Sequence, residues 1–158
     1  MKYQAVIKEI PAYTIYSAKI IASSYSELIK SIPALGEKVS KANPGMKCVE
    51  PGYCYNQYLE GEYKDTDFTV EFCEAVTSRG KDEDGVIFKD IPAATVVSVL
   101  HRGSYETLGA AYAYAMQWVE QNGYRITDFV RESHINGIWD KESVDEWLTE
   151  IQVPVKKQ

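Results

Sequence analysis

The chain repeats itself, and the repeat constrains its fold more than any other feature. Lys8-Glu9-Ile10-Pro11-Ala12-Tyr13-Thr14-Ile15-Tyr16-Ser17 returns 81 residues on as Lys89-Asp90-Ile91-Pro92-Ala93-Ala94-Thr95-Val96-Val97-Ser98. Ser24-Tyr25 returns after 80 residues as Ser104-Tyr105, and Val70-Glu71 after 79 as Thr149-Glu150. The anchors keep their order and drift by one residue each, which reads as a duplication.

Each copy carries the same plan. The first opens with strand-like sequence over residues 4–20, turning or broken at Ile10-Pro11-Ala12. Ser24 with Glu27 three residues on reads as a capping box. Behind it Tyr25, Leu28, Ile29, Ile32, Leu35 and Val39 follow at helical spacing. Pro33 should kink or interrupt that helix, and Asn43-Pro44-Gly45 ends it. Strands follow at 53–59 and 68–76, joined by a polar turn around Glu60-Gly61-Glu62. In the second copy the strand is 94–100, and Gly103-Ser104 opens a helix striped by Leu108, Ala111, Tyr112, Ala115 and Val119. Asn122-Gly123 stops it, and strands follow at 129–136 and 146–155. The charged, glycine-rich stretch 77–85 joins the copies.

The unit is therefore β-α-β-β, twice. The expected fold is α+β, a single domain over 1–158 with copies at about 1–77 and 86–158. The copies, related by a pseudo-twofold, build an antiparallel sheet with a cleft between them, and residues 12–20 and 95–100 are matching strands.

Charge and cysteine usage exclude several classes. The formal net charge of -6 argues against a nucleic-acid partner, and the apolar stretches are too short to span a bilayer. Cys48, Cys54 and Cys73 form no C-x-x-C pair and only two histidines accompany them, so no metal or cofactor is expected. An odd cysteine count without a leader reads as reduced thiols in a cytoplasm. Phosphate-binding glycine loops, nucleophile elbows and metalloprotease motifs do not occur.

Within the second copy, residues 129–136 place Val130, Glu132, His134 and Asn136 on one strand face. That face sets a carboxylate beside an imidazole and an amide. Read alone, a strand carboxylate commonly pairs with a nearby Arg or Lys at the surface, and a strand histidine is commonly a hydrogen-bonded structural residue. Trp118 and Trp147 read as core, while Trp139 lies in a polar loop and could cover a cleft.

Three stretches carry a family resemblance: Gly103-Ser104-Tyr105-Glu106-Thr107-Leu108, Arg131-Glu132-Ser133-His134-Ile135-Asn136, and Trp147-Leu148-Thr149-Glu150-Ile151-Gln152-Val153-Pro154-Val155. Together they resemble the GyrI-like small-molecule-binding domain. That domain is also called the AraC-type effector-binding domain and is related to the ligand domain of bacterial MerR-type multidrug regulators. The resemblance implies a duplicated β-α-β-β fold whose cleft takes bulky aromatic or cationic compounds, with Glu132 as the cleft glutamate. The family usually carries Tyr two residues after that glutamate, where this chain has His134.

Subtracting 79 sets Tyr53 against Glu132 and Tyr55 against His134, which would bring both tyrosines to the same cleft. The expected binding set is Glu132, His134, Tyr53, Tyr55, Trp139 and Glu150. Glu150 has an interface ion pair as its alternative. The expected function is a stand-alone binding protein, monomer or homodimer, that senses or sequesters an apolar, aromatic or cationic compound. Two alternatives stand beside it. One is a small hydrolase opening cyclopropane-containing compounds through Glu132 and Glu150; the other is a protein inhibitor acting through its acidic surface. Because the domain fills these 158 residues, no separate DNA-reading segment is expected.

Overall fold

Proline ends the first strand of each repeat, since it supplies no N–H to continue a ladder. The chain divides at those two prolines. The computed structural model describes residues 2–59 and 63–158. Strands β1 (Ala5–Ile10) and β2 (Tyr13–Ala22) lead to α1 (Tyr25–Ala42), β3 (Cys54–Tyr58), β4 (Phe68–Val76) and β5 (Val86–Ile91). β6 (Ala94–Arg102) leads to α2 (Leu108–Gln121), then β7 (Tyr124–Ile126), β8 (Arg131–Asn136) and β9 (Leu148–Lys157). The fold is α+β with antiparallel strands. Two compact units emerge, a split one (Met1–Pro11 with Ala93–Gln158) and a continuous one (Ala12–Pro92).

In the continuous unit the strands run β3-β4-β2-β5. Tyr16 and Phe72 meet ring to ring on the face where α1 lays down Tyr25, Leu28 and Val39. The other face holds Ile15, Tyr55, Cys73 and Ala75, packed by Tyr13, Val49, Tyr53 and Ile91. Ser24 caps α1 by accepting the N–H of Glu27 at 3.2 Å, but Glu27 takes the Ser23 hydroxyl at 2.6 Å, so the cap is one-sided. α1 also runs unbroken through Pro33. That proline lies on the solvent side, where the carbonyl it leaves unbonded can be hydrated.

The split unit runs β1-β6-β9-β8, with β7 pairing the far end of β9. Each repeat's first strand thus pairs into the other half of the sequence: β1 with β6, and β5 with β2. The α2 stripe of Leu108, Ala111, Tyr112, Ala115 and Val119 is buried on one sheet face. That face presents Val97, Val99 and His101 from β6, Thr149, Ile151 and Val153 from β9, and Glu132 and His134 from β8. A fully buried Leu or Val in such a layer contributes roughly 1.5–3 kcal/mol.

The strand-like sequence over 4–20 is two strands broken at Pro11, one of the two expected forms, while β5 and β7 are additional. The second helix begins as a single 3-10 turn, Tyr105–Thr107. β8 starts only at Arg131, because Asp128 holds the Phe129 N–H at 2.8 Å and keeps that segment irregular. The turn at Glu60-Gly61-Glu62 lies outside the described residues.

Candidate functional site

Glu132 lies opposite Ile151, with its side chain under α2 and 0% exposed. Burying a carboxylate costs several kcal/mol unless other groups compensate it. Two do so. Tyr112 from α2 donates its hydroxyl to Glu132 Oε1 at 2.7 Å. His134 brings Nε2 to 2.8 Å from Oε2. The other imidazole nitrogen, Nδ1, lies 3.3 Å from Thr149 Oγ1.

Aromatic rings close over this pair. Tyr105 stands edge-on to His134, with centroids 5.2 Å apart, and packs on Trp147 at 5.0 Å. Burial, then the charges of Glu132 and Asp140, push the Tyr105 phenol up to about 12, so it stays protonated as a donor at neutral pH. Its placement follows from the local sequence. Ser104 caps the 3-10 turn by accepting the Glu106 N–H at 3.1 Å. Gly103 takes a φ of 115°, open to glycine, and donates its N–H to the Trp147 carbonyl at 2.8 Å, fixing Trp147 beside Tyr105.

The alternation read from the sequence holds for Glu132 and His134. It stops there, because a register shift follows His134 and the Asn136 amide turns to Asp140 at 2.8 Å. Asp140 also accepts the Gly137 N–H at 2.9 Å, and these bonds hold its carboxyl below the usual carboxylate range. Trp139 in the same loop is half-exposed and lies over Gly137, where a Cβ would come within 2.3 Å of the indole.

Glu150 is not brought to Glu132. It points to the opposite sheet face, where it accepts from Ser98 at 2.6 Å and pairs with Lys8 at 2.8 Å. Tyr53 and Tyr55 lie tilted against each other, with ring centroids 5.2 Å apart, in the second apolar cluster of the continuous unit. In β8 Glu132 faces Ile151 and His134 faces Thr149, and in β3 Asn56 lies opposite Phe72 and Tyr58 opposite Val70. The connection before β3, residues 43–53, is longer than that before β8, residues 122–130, so one fixed offset cannot serve both helix and strand.

Burial, the largest cause in each case, raises the thiols of Cys48 to about 11 and of Cys54 and Cys73 to about 12. Among the described residues no group of three or more His, Cys, Asp or Glu could hold a metal ion, and no helix is long and apolar enough to cross a membrane.

The profile of the GyrI-like small molecule binding domain matches residues 5–156. The chain belongs to this family. A crystal structure of the EcmrR C-terminal domain is 51% identical, with a TM-score of 0.92 and full coverage of both chains. EcmrR also appears in a cryo-EM complex with DNA, again 51% identical with a TM-score of 0.92, where 99% of this chain matches 58% of that one. A hydrolase from Listeria innocua shares the fold at 13% identity and a TM-score of 0.65, over 97% of this chain and 92% of its own. SAV2435 bound to tetraphenylphosphonium shares it at 14% identity and a TM-score of 0.50, over 99% and 94%. No curated protein compared with the chain matches it.

The DNA complex corrects one expectation, that nucleic acid has no place among this chain's partners. The net charge of -6 describes these residues only. Acidity in one domain does not fix what a linked segment of the same protein contacts, and this chain spans about 58% of the DNA-bound relative.

Tyr105, Tyr112 and Trp147 are the site residues that the sequence analysis missed. Tyr112 lay in view as one of the α2 stripe, since a helix covering the Glu132 face must put a stripe residue over it. Trp147 read as core through its place in a strand, whereas it stands just before β9 and half-buried.

Proposed function

We propose that the Glu132 cluster is a binding site for a bulky aromatic cation, and that the chain is a ligand-sensing or ligand-sequestering domain. The observation that carries this is a fully buried carboxylate among the rings of Tyr105, Tyr112, His134 and Trp147. An apolar cation meets both needs of such a site: it neutralises the anion without bringing water, and it stacks on the rings. Tyr105 rides on a single 3-10 turn, so its ring can swing aside while α2 stays intact. The tetraphenylphosphonium complex of SAV2435 supports this ligand class by analogy of fold. The 81-residue echo and the reciprocal pairing of β1 and β5 support reading the domain as two copies with exchanged first strands.

A hydrolase built on Glu132 and Glu150 fits less well, because the two carboxylates occupy opposite faces of the sheet and Glu150 is held by Lys8 and Ser98. Titration calorimetry with tetraphenylphosphonium tests the proposal. Glu132→Gln keeps the shape and removes the charge, and should weaken binding by roughly 1–3 kcal/mol. A neutral aromatic ligand of similar size should lose much less. Equal losses for both ligands would contradict a charge-reading site.

A further inference from the structure

We propose that His134 is the resident counter-ion of Glu132, which an entering cation replaces, so that ligand uptake releases a proton. This rests on the reading above that the cluster takes a cation. Nε2 of His134 stands 2.8 Å from Glu132 Oε2, and the two side chains are 6% and 0% exposed. One buried carboxylate balances one positive charge. An imidazolium and a ligand cation cannot both occupy its neighbourhood without a desolvated, uncompensated charge.

The groups facing the pair sharpen this assignment. Tyr112 from α2 reaches Glu132 as a neutral donor. Tyr105 from the 3-10 turn is a phenol held protonated, influenced by Asp140 of the following loop. Thr149 from β9 offers a hydroxyl to His134. His101 from β6 lies in the same row beyond Thr149. Its Nε2 lies 2.8 Å from the Ser104 carbonyl and its Nδ1 2.8 Å from the Tyr3 hydroxyl, so it is engaged away from Glu132. The imidazole that touches the carboxylate is the one an entering cation would replace. Opposite Val70 the continuous unit has Tyr58, which can donate a hydrogen bond but carries no positive charge. His134 thus adds a property that a tyrosine there would not supply.

The exchange balances as protonated site plus ligand cation giving ligand-bound site plus one proton, which passes to the buffer. Over the range in which imidazoles titrate, about pH 5 to pH 8, affinity should rise with pH by up to about tenfold per unit, then level off. The proton belongs to the coupled Glu132–His134 pair.

Calorimetry with tetraphenylphosphonium, which has no proton of its own, reads this directly. Repeating the titration in two buffers of different ionisation heat counts the protons released. The expected count approaches one at the acidic end and falls to zero at the alkaline end. His134→Gln should remove both the release and the pH slope, whatever affinity for the cation remains. Binding with a flat pH profile and no release would overturn this role for His134 and leave the proposed function standing. A slope that persists in His134→Gln would transfer the proton to another group and also overturn it. No binding at any pH would overturn both readings. If His134→Gln fails to fold, the proton count of the unaltered protein still decides.

Discussion

Each unit lays a helix on one face of its sheet, and the two fill the layer beneath it differently. In the split unit Glu132 and His134 lie beside Tyr105, which packs on Trp147 at 5.0 Å. In the continuous unit β3 sets Asn56 opposite Phe72 and Tyr58 opposite Val70, beside Tyr25 and Phe68. The Tyr25 and Tyr58 hydroxyls bond to each other, and Tyr25 meets Phe68 at 5.3 Å. Both units thus bury an aromatic cluster beneath a helix, but the carboxylate of the split unit, Glu132, is fully buried, whereas Glu74 of the continuous unit, which accepts from Tyr16 at 3.0 Å, is only half-buried. Asn56 is 1% exposed and its Oδ1 has no hydrogen-bond partner among the described residues. An amide can tolerate that position because an unmet neutral acceptor costs about 1–3 kcal/mol, far less than an unmet charge. Aromatic packing beneath the helix is therefore what the fold requires, and the Glu132–His134 pair is what one unit adds to it.

The sharpest way to break the comparison is to move the charge. Asn56→Glu would bury a carboxylate with neither an imidazole nor the Tyr112 hydroxyl placed to receive it. The expected loss in chemical denaturation is about 3–5 kcal/mol at neutral pH. Burial would raise that carboxyl in the folded state above its unfolded value, so the native form binds the proton more tightly. The deficit should shrink as pH falls through the ordinary carboxylate range and grow as pH rises above it. A deficit independent of pH would point to steric overpacking instead of charge.

Smaller effects come next. Tyr112→Phe removes the donor to Glu132 Oε1 and should cost about 1–3 kcal/mol of stability, with its aromatic packing retained. A neutral result would mean that the carboxylate is satisfied without that hydroxyl.

The smallest expected differences lie in a pair of ion pairs on the opposite sheet faces. Lys8 from β1 reaches Glu150 on β9 at 2.8 Å, and Lys89 from β5 reaches Glu71 on β4 at 3.1 Å. Each ties an edge strand of its unit to the strand one removed from it. The lysines are similarly half-exposed, but the Glu150 side chain is 8% exposed and Glu71 23%. Lys8→Met should therefore destabilise more, by about 1 kcal/mol against a few tenths for Lys89→Met, as exposed partners are screened by water. Equal effects, measured as midpoint shifts in urea, would show that depth of burial does not separate the pairs.

Much of the fold was legible because it rests on local rules. Strand alternation, the serine caps at Ser24 and Ser104 and the stop at Gly123 each depend on neighbours within a few residues. The pairing of β1 with β6 was not legible, since the Ile-Pro-Ala motif reads equally as a hairpin turn and as a crossing point. The carboxylate and its histidine were readable from a two-residue spacing. Their partners depend on which helix covers which face, and the face that Glu150 takes depends on the sheet register. The offset that set Tyr53 against Glu132 was taken from β4 and β9, and the connections before β3 and β8 differ in length.

The central claim is that a cationic ligand occupies the charged cluster, not its neutral counterpart. Nuclear Overhauser contacts between the phenyl protons of tetraphenylphosphonium and the aromatic side chains of the labelled protein test it most directly. The account predicts contacts to the rings of Tyr105, Tyr112 and Trp147. Contacts confined to Tyr25, Tyr58 and Phe68 would contradict it.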